Sequence, residues 1–514
     1  METWFIVVVS LCVAALIRSL LFHRRYGKTL PPGPSFITSN FLLLTRSRLE
    51  FETILINLKS RYGSLITLYI GSRPSIFVGS HSLAHQVLIQ KGAVFSDRPK
   101  SFALRNISSA SYGPTWRLFR RNLASEVMHP AHINSYSWAR KWVLHILIGR
   151  LQEQKEVAGI TVVDHFQYAM FCLLVLMCFG EKLDERQINE VARVQRDMLL
   201  RIGSGRYTVL TILPKLGKIL FRNRWNEFEQ LREDKEKVLI PLIKSRIKAT
   251  KSEPQVGDEQ ILAYVDTLVN LQLPEEEGNS ENGGKLTDKE MVSMCSEFLN
   301  AGTDTTSTAL QWIMANLVKH PDIQSKLYDE IVSVVGPPPP PPPPGVEPES
   351  VINEEDLKNM AYLKAVVLEA LRRHPPAHFV LPHRVTKEVE LLGFTIPQGA
   401  TINFMVAEMG LDPTVWDDPM EFKPERFLSN DGTNGGFDIT GSKGIKMMPF
   451  GAGRRICPGS DLALLHLEYF VAKLIWYFHW NPPDGYHVDF SEKLEFTVVM
   501  KNPLRAQISS RTEK

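Results

Sequence analysis

Phe450-Gly451-Ala452-Gly453-Arg454-Arg455-Ile456-Cys457-Pro458-Gly459 puts one cysteine on a glycine-rich turn, flanks it with arginine, and runs straight into an apolar helix expected to begin near Ser460. A thiol at a helix start, with Arg454 and Arg455 upstream, sits in positive potential that favours the thiolate. A thiolate is a ligand for a soft metal. A lone buried cysteine is more often a small hydrophobe. Here the spacing F-x-x-G-x-R-x-C-x-G specifies five identities, a coincidence of about 10⁻⁷ per start point at ordinary composition.

The segment resembles the haem-ligand signature of the cytochrome P450 superfamily of haem-thiolate monooxygenases. The resemblance implies that Cys457 is the axial thiolate of haem b and that the following helix is the proximal one. Phe450, Gly453 and Gly459 then belong to the cofactor-binding loop. The glycines let backbone approach the porphyrin and turn N–H groups toward sulfur. Arg455 would reach a haem propionate through a charge-assisted hydrogen bond.

The chain has 514 residues, 44% hydrophobic, with a net charge of only +3. That supports a sizeable core, and nothing overall points to nucleic acid. Five scattered cysteines without a C-x-x-C spacing fit a reducing compartment and argue against a disulfide framework. Residues 4–22 are apolar apart from Ser10, Arg18 and Ser19, and as a helix they span about 28 Å, close to a bilayer core. His23, Arg24, Arg25 and Lys28 follow, so the positive-inside rule leaves the rest of the chain in the cytosol. A cleaved signal peptide competes with an uncleaved anchor, but the run lacks a basic segment before it and a small-x-small site after it. Leu30-Pro31-Pro32-Gly33-Pro34 is a stiff exit, and such a hinge resembles the microsomal members of the superfamily. The expected division is an anchor at 1–25, a proline-rich hinge at 26–36 and one catalytic domain at 37–514.

Alternation over 64–78 around Gly71-Ser72-Arg73-Pro74 predicts a β-hairpin. Helices are expected near 115–150, 160–180, 185–203, 222–250, 258–272, 288–319, 321–335, 355–373 and 460–478, with late strands near 387–404 and 484–510. The fold is therefore mainly α with a small β-rich portion, which the resemblance identifies as a P450 fold with an N-terminal transmembrane anchor helix. Eight prolines at 337–344 predict an exposed polyproline rod, read as a tolerated surface insertion.

Thr287-Asp288-Lys289-Glu290 is a capping box that opens a long helix. Inside it, Ala301-Gly302-Thr303-Asp304-Thr305-Thr306 is poor helix material. By itself this is a kinked core helix. The run resembles the superfamily's distal-helix motif, which implies that Gly302 leaves room over the haem, Asp304 feeds protons and Thr305 hydrogen-bonds dioxygen. Glu369-Ala370-Leu371-Arg372 matches E-x-x-R. So do Glu190/Arg193 and Glu229/Arg232, which read as surface pairs. Only the first sits in an almost wholly apolar helix, which predicts burial. Pro424-Glu425-Arg426-Phe427 resembles the segment that supplies the third member of that structural triad, Arg426. Trp116 and Arg120, four apart, put two donors on one helix face; alone this reads as a basic amphipathic helix, but it resembles the superfamily's W-x-x-x-R motif, which implies a haem-propionate contact. Arg384 falls where many members carry another.

By position, segments 100–112 and 200–215, Phe298, Ala301, 379–381 and 498–500 would line the distal pocket, and they favour a hydrophobic or amphipathic substrate. Arg117, Arg121, Arg140 and Lys141 read equally as a partner-steering surface or a solvated helix face. The whole chain resembles plant A-type microsomal members, in particular plant family 89. That implies hydroxylation of a small molecule with O2 and electrons from NADPH through NADPH-cytochrome P450 reductase, with cytochrome b5 as a further donor, on the endoplasmic reticulum membrane. Two readings compete: a P450-fold isomerase or dehydratase needing no reductase, and a haem electron carrier or sensor. The pairing of Asp304 with Thr305 disfavours both, since neither needs a distal proton relay.

Overall fold

The computed structural model describes residues 29–45, 48–71, 73–99, 105–154, 159–207, 210, 214–251, 261–274, 284–339, 352–429, 431–433 and 435–512, with Ser10 and Ile17. The expected anchor at 4–22 thus lies outside the described residues except for those two, which are helical. Residues 26–28 of the hinge and 340–344 of the proline run also lie outside them. Among the described residues one helix is long and apolar enough to cross a membrane, Val162–Phe179, and it is mostly buried inside the protein.

Along the chain run α1 (Phe36–Thr45), α2 (Arg48–Tyr62), β1 (Leu65–Ile70), β2 (Arg73–Val78), α3 (Pro114–Asn122), α4 (Ser137–Glu153) and β3 (Ile160–Thr161). Next come α5 (Val162–Phe179), α6 (Glu185–Gly203), α7 (Arg222–Lys251), α8 (Asp288–Lys319), α9 (Pro321–Val335) and α10 (Ala361–Arg373). The chain ends with β4 (His383–Arg384), β5 (Val389–Leu391), β6 (Phe394–Ile396), β7 (Thr401–Phe404), α11 (Ser460–Tyr477), β8 (Phe478–Asn481), β9 (Glu492–Leu494), β10 (Val498–Met500) and β11 (Arg505–Ser510). Short helical turns fill several connections.

One compact unit combines Met1–Lys100, Ala377–Asp417 and Asp438–Ile456. Its sheet has the order β1-β2-β7-β4, with Leu65 opposite Val78 and Ile70 opposite Arg73 in the expected hairpin. Gly71 turns that hairpin at φ 59°. Asn40 of α1 holds it, donating to the Gly71 carbonyl at 3.2 Å and accepting from its N–H at 2.9 Å. The strands are buried on both faces. Leu65, Ile76, Val78, Ile402 and Phe404 pack on one side, while Leu55 of α2 joins Ile66, Leu68 and Phe77 on the other. The sequence reading missed α1 and α2, which supply part of that cover.

The second unit combines Ser101–Pro376, Asp418–Phe437 and Cys457–Lys514. Helix α8 runs through it, packed on α5, α7, α10 and α11. The capping box is present: the Glu290 N–H donates to Thr287 Oγ1 at 3.2 Å, and the Thr287 N–H donates to Glu290 Oε2 at 3.0 Å. Burying each large apolar side chain of α5 against it stabilises the unit by about 1.5–3 kcal/mol. The helix expected over 115–150 is broken. His129 is extended (ψ 138°) before Pro130, as the proline ring demands of its predecessor, so the segment splits into α3, two short turns and α4. Pro241 stays inside α7 without ending it. Two small sheets, β3-β11-β8 and β10-β9, complete the unit.

Candidate active site

The cysteine loop is shaped by backbone. Gly453 has φ 70° and sits so close to the turn 86–90 that a Cβ would lie 2.2 Å from the Leu88 carbonyl oxygen. Any side chain there would push the loop off its seat. The residues after it form a tight turn, Gly453–Arg455, closed by the Ile456 N–H on the Gly453 carbonyl at 3.1 Å. Arg455 donates from Nε to the Ser96 carbonyl at 2.8 Å. Within the same unit Arg384 pairs with Asp97 at 3.3 Å, and Arg98 donates to the Leu381 carbonyl at 2.6 Å and the Pro382 carbonyl at 3.0 Å. His383 is buried beside them, and burial, then Arg98, lowers its pKa to about 3, so it is neutral. Arg98 was not foreseen; Asp97-Arg98-Pro99 carries no spacing signal. Phe450 is partly buried at the entry to the loop.

In the other unit Cys457 precedes α11, which begins at Ser460 as expected. Burial pushes its thiol up from the ordinary value, while the Gly459 N–H and the Arg120 guanidinium pull it down and Asp461 pushes it up. The sequence reading credited Arg454 and Arg455 with the positive potential. The arginine that counts in this unit is Arg120, and desolvation outweighs it. Burial in turn lowers the pKa of Arg120, with Cys457 opposing. Trp116 is buried on the same face of α3, one turn before Arg120.

On α8 the Thr305 hydroxyl donates to the Ala301 carbonyl at 2.6 Å, the back-bond to the preceding turn that loosens a helix locally. Asp304 turns to other partners: Arg196 of α6 lies 3.5 Å away and itself approaches Glu495 at 3.7 Å. Burial raises the Asp304 pKa to about 6, against the pull of Arg196 and with the push of Glu495. Neither Arg196 nor Glu495 belongs to a motif, so only the tertiary structure reveals them. A Cβ on Gly302 would meet Leu174 Cδ1 of α5 at 2.5 Å, so its missing side chain gives room to that leucine. Phe298, expected to line a pocket, is buried against the Tyr264 ring at 4.9 Å. Val498 and Met500 are also buried, in a strand bonded through the Val498 carbonyl to Trp312 at 2.9 Å.

The expected triad is assembled. Arg372 donates to both Glu369 oxygens at 2.7 and 2.8 Å, and Arg426 Nε reaches Glu369 at 3.3 Å. The Lys423 N–H adds a bond to Glu369 at 2.8 Å, and Arg372 also donates to the Pro419 carbonyl at 2.9 Å. What the triad holds is the segment 418–426 on α10. Of the two decoys, Arg232 pairs with Glu229 at 3.0 Å, while Arg193 turns to Asp197 at 3.9 Å. Arg140, read as surface, is fully buried and paired with Glu354 at 2.6 Å.

A family model described as Cytochrome P450 matches residues 31–509. Cytochrome P450 89A9 of Arabidopsis thaliana is 47% identical over 524 residues, covering 99% of this chain and 98% of that protein. Flavonoid 3'-monooxygenase of the same plant is 28% identical, covering 94% of this chain and 92% of its own. A solved zebra fish cytochrome P450 with progesterone superposes with a TM-score of 0.72 at 22% identity, over 90% of this chain and 99% of the other, and shows the shared fold.

Proposed function

Because the chain belongs to the cytochrome P450 family, as a monooxygenase that resembles plant family 89, we propose that it hydroxylates a small hydrophobic or amphipathic plant metabolite with electrons from an NADPH-dependent reductase. In this reading residues 37–514 work as one catalytic domain on the cytosolic face of the endoplasmic reticulum, and cytochrome b5 is a second electron donor.

The observation that carries the reading is the Cys457 thiol before α11, where the Gly459 N–H and the Arg120 guanidinium both favour the thiolate against burial. Among the described residues no group of three or more His, Cys, Asp or Glu is placed to hold a metal ion. A single soft donor with a peptide N–H on it fits haem b, which brings its own four nitrogens. Bound haem supplies the one-electron chemistry and favours O–O cleavage through thiolate donation. Trp116, Arg120, Arg384 and Arg455 are the donors assigned to its propionates. Asp304, whose pKa burial raises to about 6, supplies a proton and Thr305 passes it on, an acid and an alcohol in sequence. The neighbouring names, a flavonoid monooxygenase among them, accord with a small organic substrate.

A carbon monoxide difference spectrum of the dithionite-reduced protein in microsomes tests this. A far-red Soret band that disappears in Cys457→Ser, together with NADPH-dependent oxygenation, is the expected result. Oxygenation at the wild-type rate in Cys457→Ser would sink the assignment.

A further inference from the structure

Helix α8 carries a carboxylate that none of the motifs claims. Glu297 accepts from the Ile107 N–H at Oε2 and from the Ser108 N–H at Oε1, each at 2.8 Å. The chain around those amides is folded on itself. Asn106 Oδ1 accepts from the Ser109 N–H at 3.0 Å and the Ser109 hydroxyl at 2.7 Å, and the Ala110 N–H donates to the Asn106 carbonyl at 2.9 Å. A turn closed by an asparagine side chain leaves its next two N–H groups aimed the same way, a small anion-binding concavity. Glu297 fills it with two charge-assisted bonds. A second tie lies two turns earlier on the helix, where Arg105 approaches Glu290 at 3.6 Å.

Glu297, Ala301 and Thr305 follow one another at four-residue steps and so share a face of α8. The turn Asn106–Ala110 is therefore fastened to the face that carries Thr305. A few residues later the same chain enters α3 with Trp116 and Arg120. We propose that Glu297 is a positioning residue that clamps this turn onto α8 and thereby sets the size of the molecule admitted beside Thr305. The proposal rests on the haem-thiolate monooxygenase reading of the same helix.

The test compares full-length wild type with Glu297→Gln, which removes the charge and puts an NH2 donor where one of the two accepting oxygens stood. Hydrogen exchange at Ile107 and Ser108 is expected to quicken at least tenfold, the order of one lost charge-assisted bond. Binding of imidazole and 4-phenylimidazole to the ferric protein supplies the second readout. The ratio of their Kd values is expected to shift about tenfold, the same energy acting on the larger probe alone. Glu297→Asp keeps the charge and withdraws it by about one bond length. It should fall between the two proteins and serves where Glu297→Gln does not accumulate. Unchanged exchange at both amides, or quicker exchange with an unchanged azole ratio, overturns the proposal. A wild-type protein with no far-red carbon monoxide band would instead overturn the haem-thiolate reading, while the exchange result would still report on the clamp.

Discussion

Helices α10 and α8 each set an acidic residue against arginine, and the two clusters have opposite character. Glu369 and Arg372 are 0% exposed, joined by two bonds, with Arg426, the Lys423 N–H and the Pro419 carbonyl taking up further donors and acceptors. Asp304 has one arginine at 3.5 Å, and that arginine is 42% exposed and shared with Glu495. In the first cluster the cost of desolvation is offset by contacts from all sides, and Glu369 holds a segment in place. In the second the offset is incomplete, and the carboxyl keeps its proton up to about pH 6. Two acids with the same kind of partner thus divide into a strut and a carboxyl with a raised pKa by the completeness of their surroundings.

The largest expected effect tests the strut. Glu369→Gln leaves Arg372 buried without its counter-charge and should cost about 3–5 kcal/mol, seen as lost haem content and a collapsed unfolding temperature. The decoy control, Glu229→Gln, removes an exposed partner of Arg232 and should stay within about 0.5 kcal/mol. Equal effects of the two would break the contrast.

A smaller effect tests the raised pKa of Asp304. With Asp304 at about 6 when folded and 3.8 as its ordinary value, the folded state retains a proton that the unfolded chain has released between those pH values. Stability therefore falls as pH rises through that window and stays lower above it. Asp304→Asn should flatten this slope in pH-dependent unfolding, and a slope unchanged by the substitution would refute the shifted acid.

A small structural effect belongs to Thr305→Ala. It removes the back-bond to Ala301, so stability should change by no more than about 1 kcal/mol. NADPH should still be consumed, with more peroxide released per product. Unchanged coupling would take Thr305 out of the relay.

Several elements were legible because their signals are local. The capping box at Thr287 marked the start of α8 to the residue, and the apolar run around Glu369 separated the buried E-x-x-R from its decoys. The failures have equally specific causes. Pro130 interrupts a pattern whose hydrophobic period continues past it, so periodicity alone joins α3 to α4. Arg140 looks like a surface charge until Glu354, more than two hundred residues away, is folded against it.

The sequence by itself determined the family and singled out Cys457 and the Asp304–Thr305 pair as candidates, since each is written in residue identities at short fixed spacing, and backbone geometry converts spacing directly into shared faces and turns. Only the tertiary structure decided the state of those groups. The pKa of Asp304, the arginine beside Cys457 and the grip of Glu297 on the Asn106 turn all depend on burial and on charges contributed from distant parts of the chain. A residue's protonation and orientation answer to the solvent removed around it and the partners brought to it, and neither is encoded within a turn of its own helix.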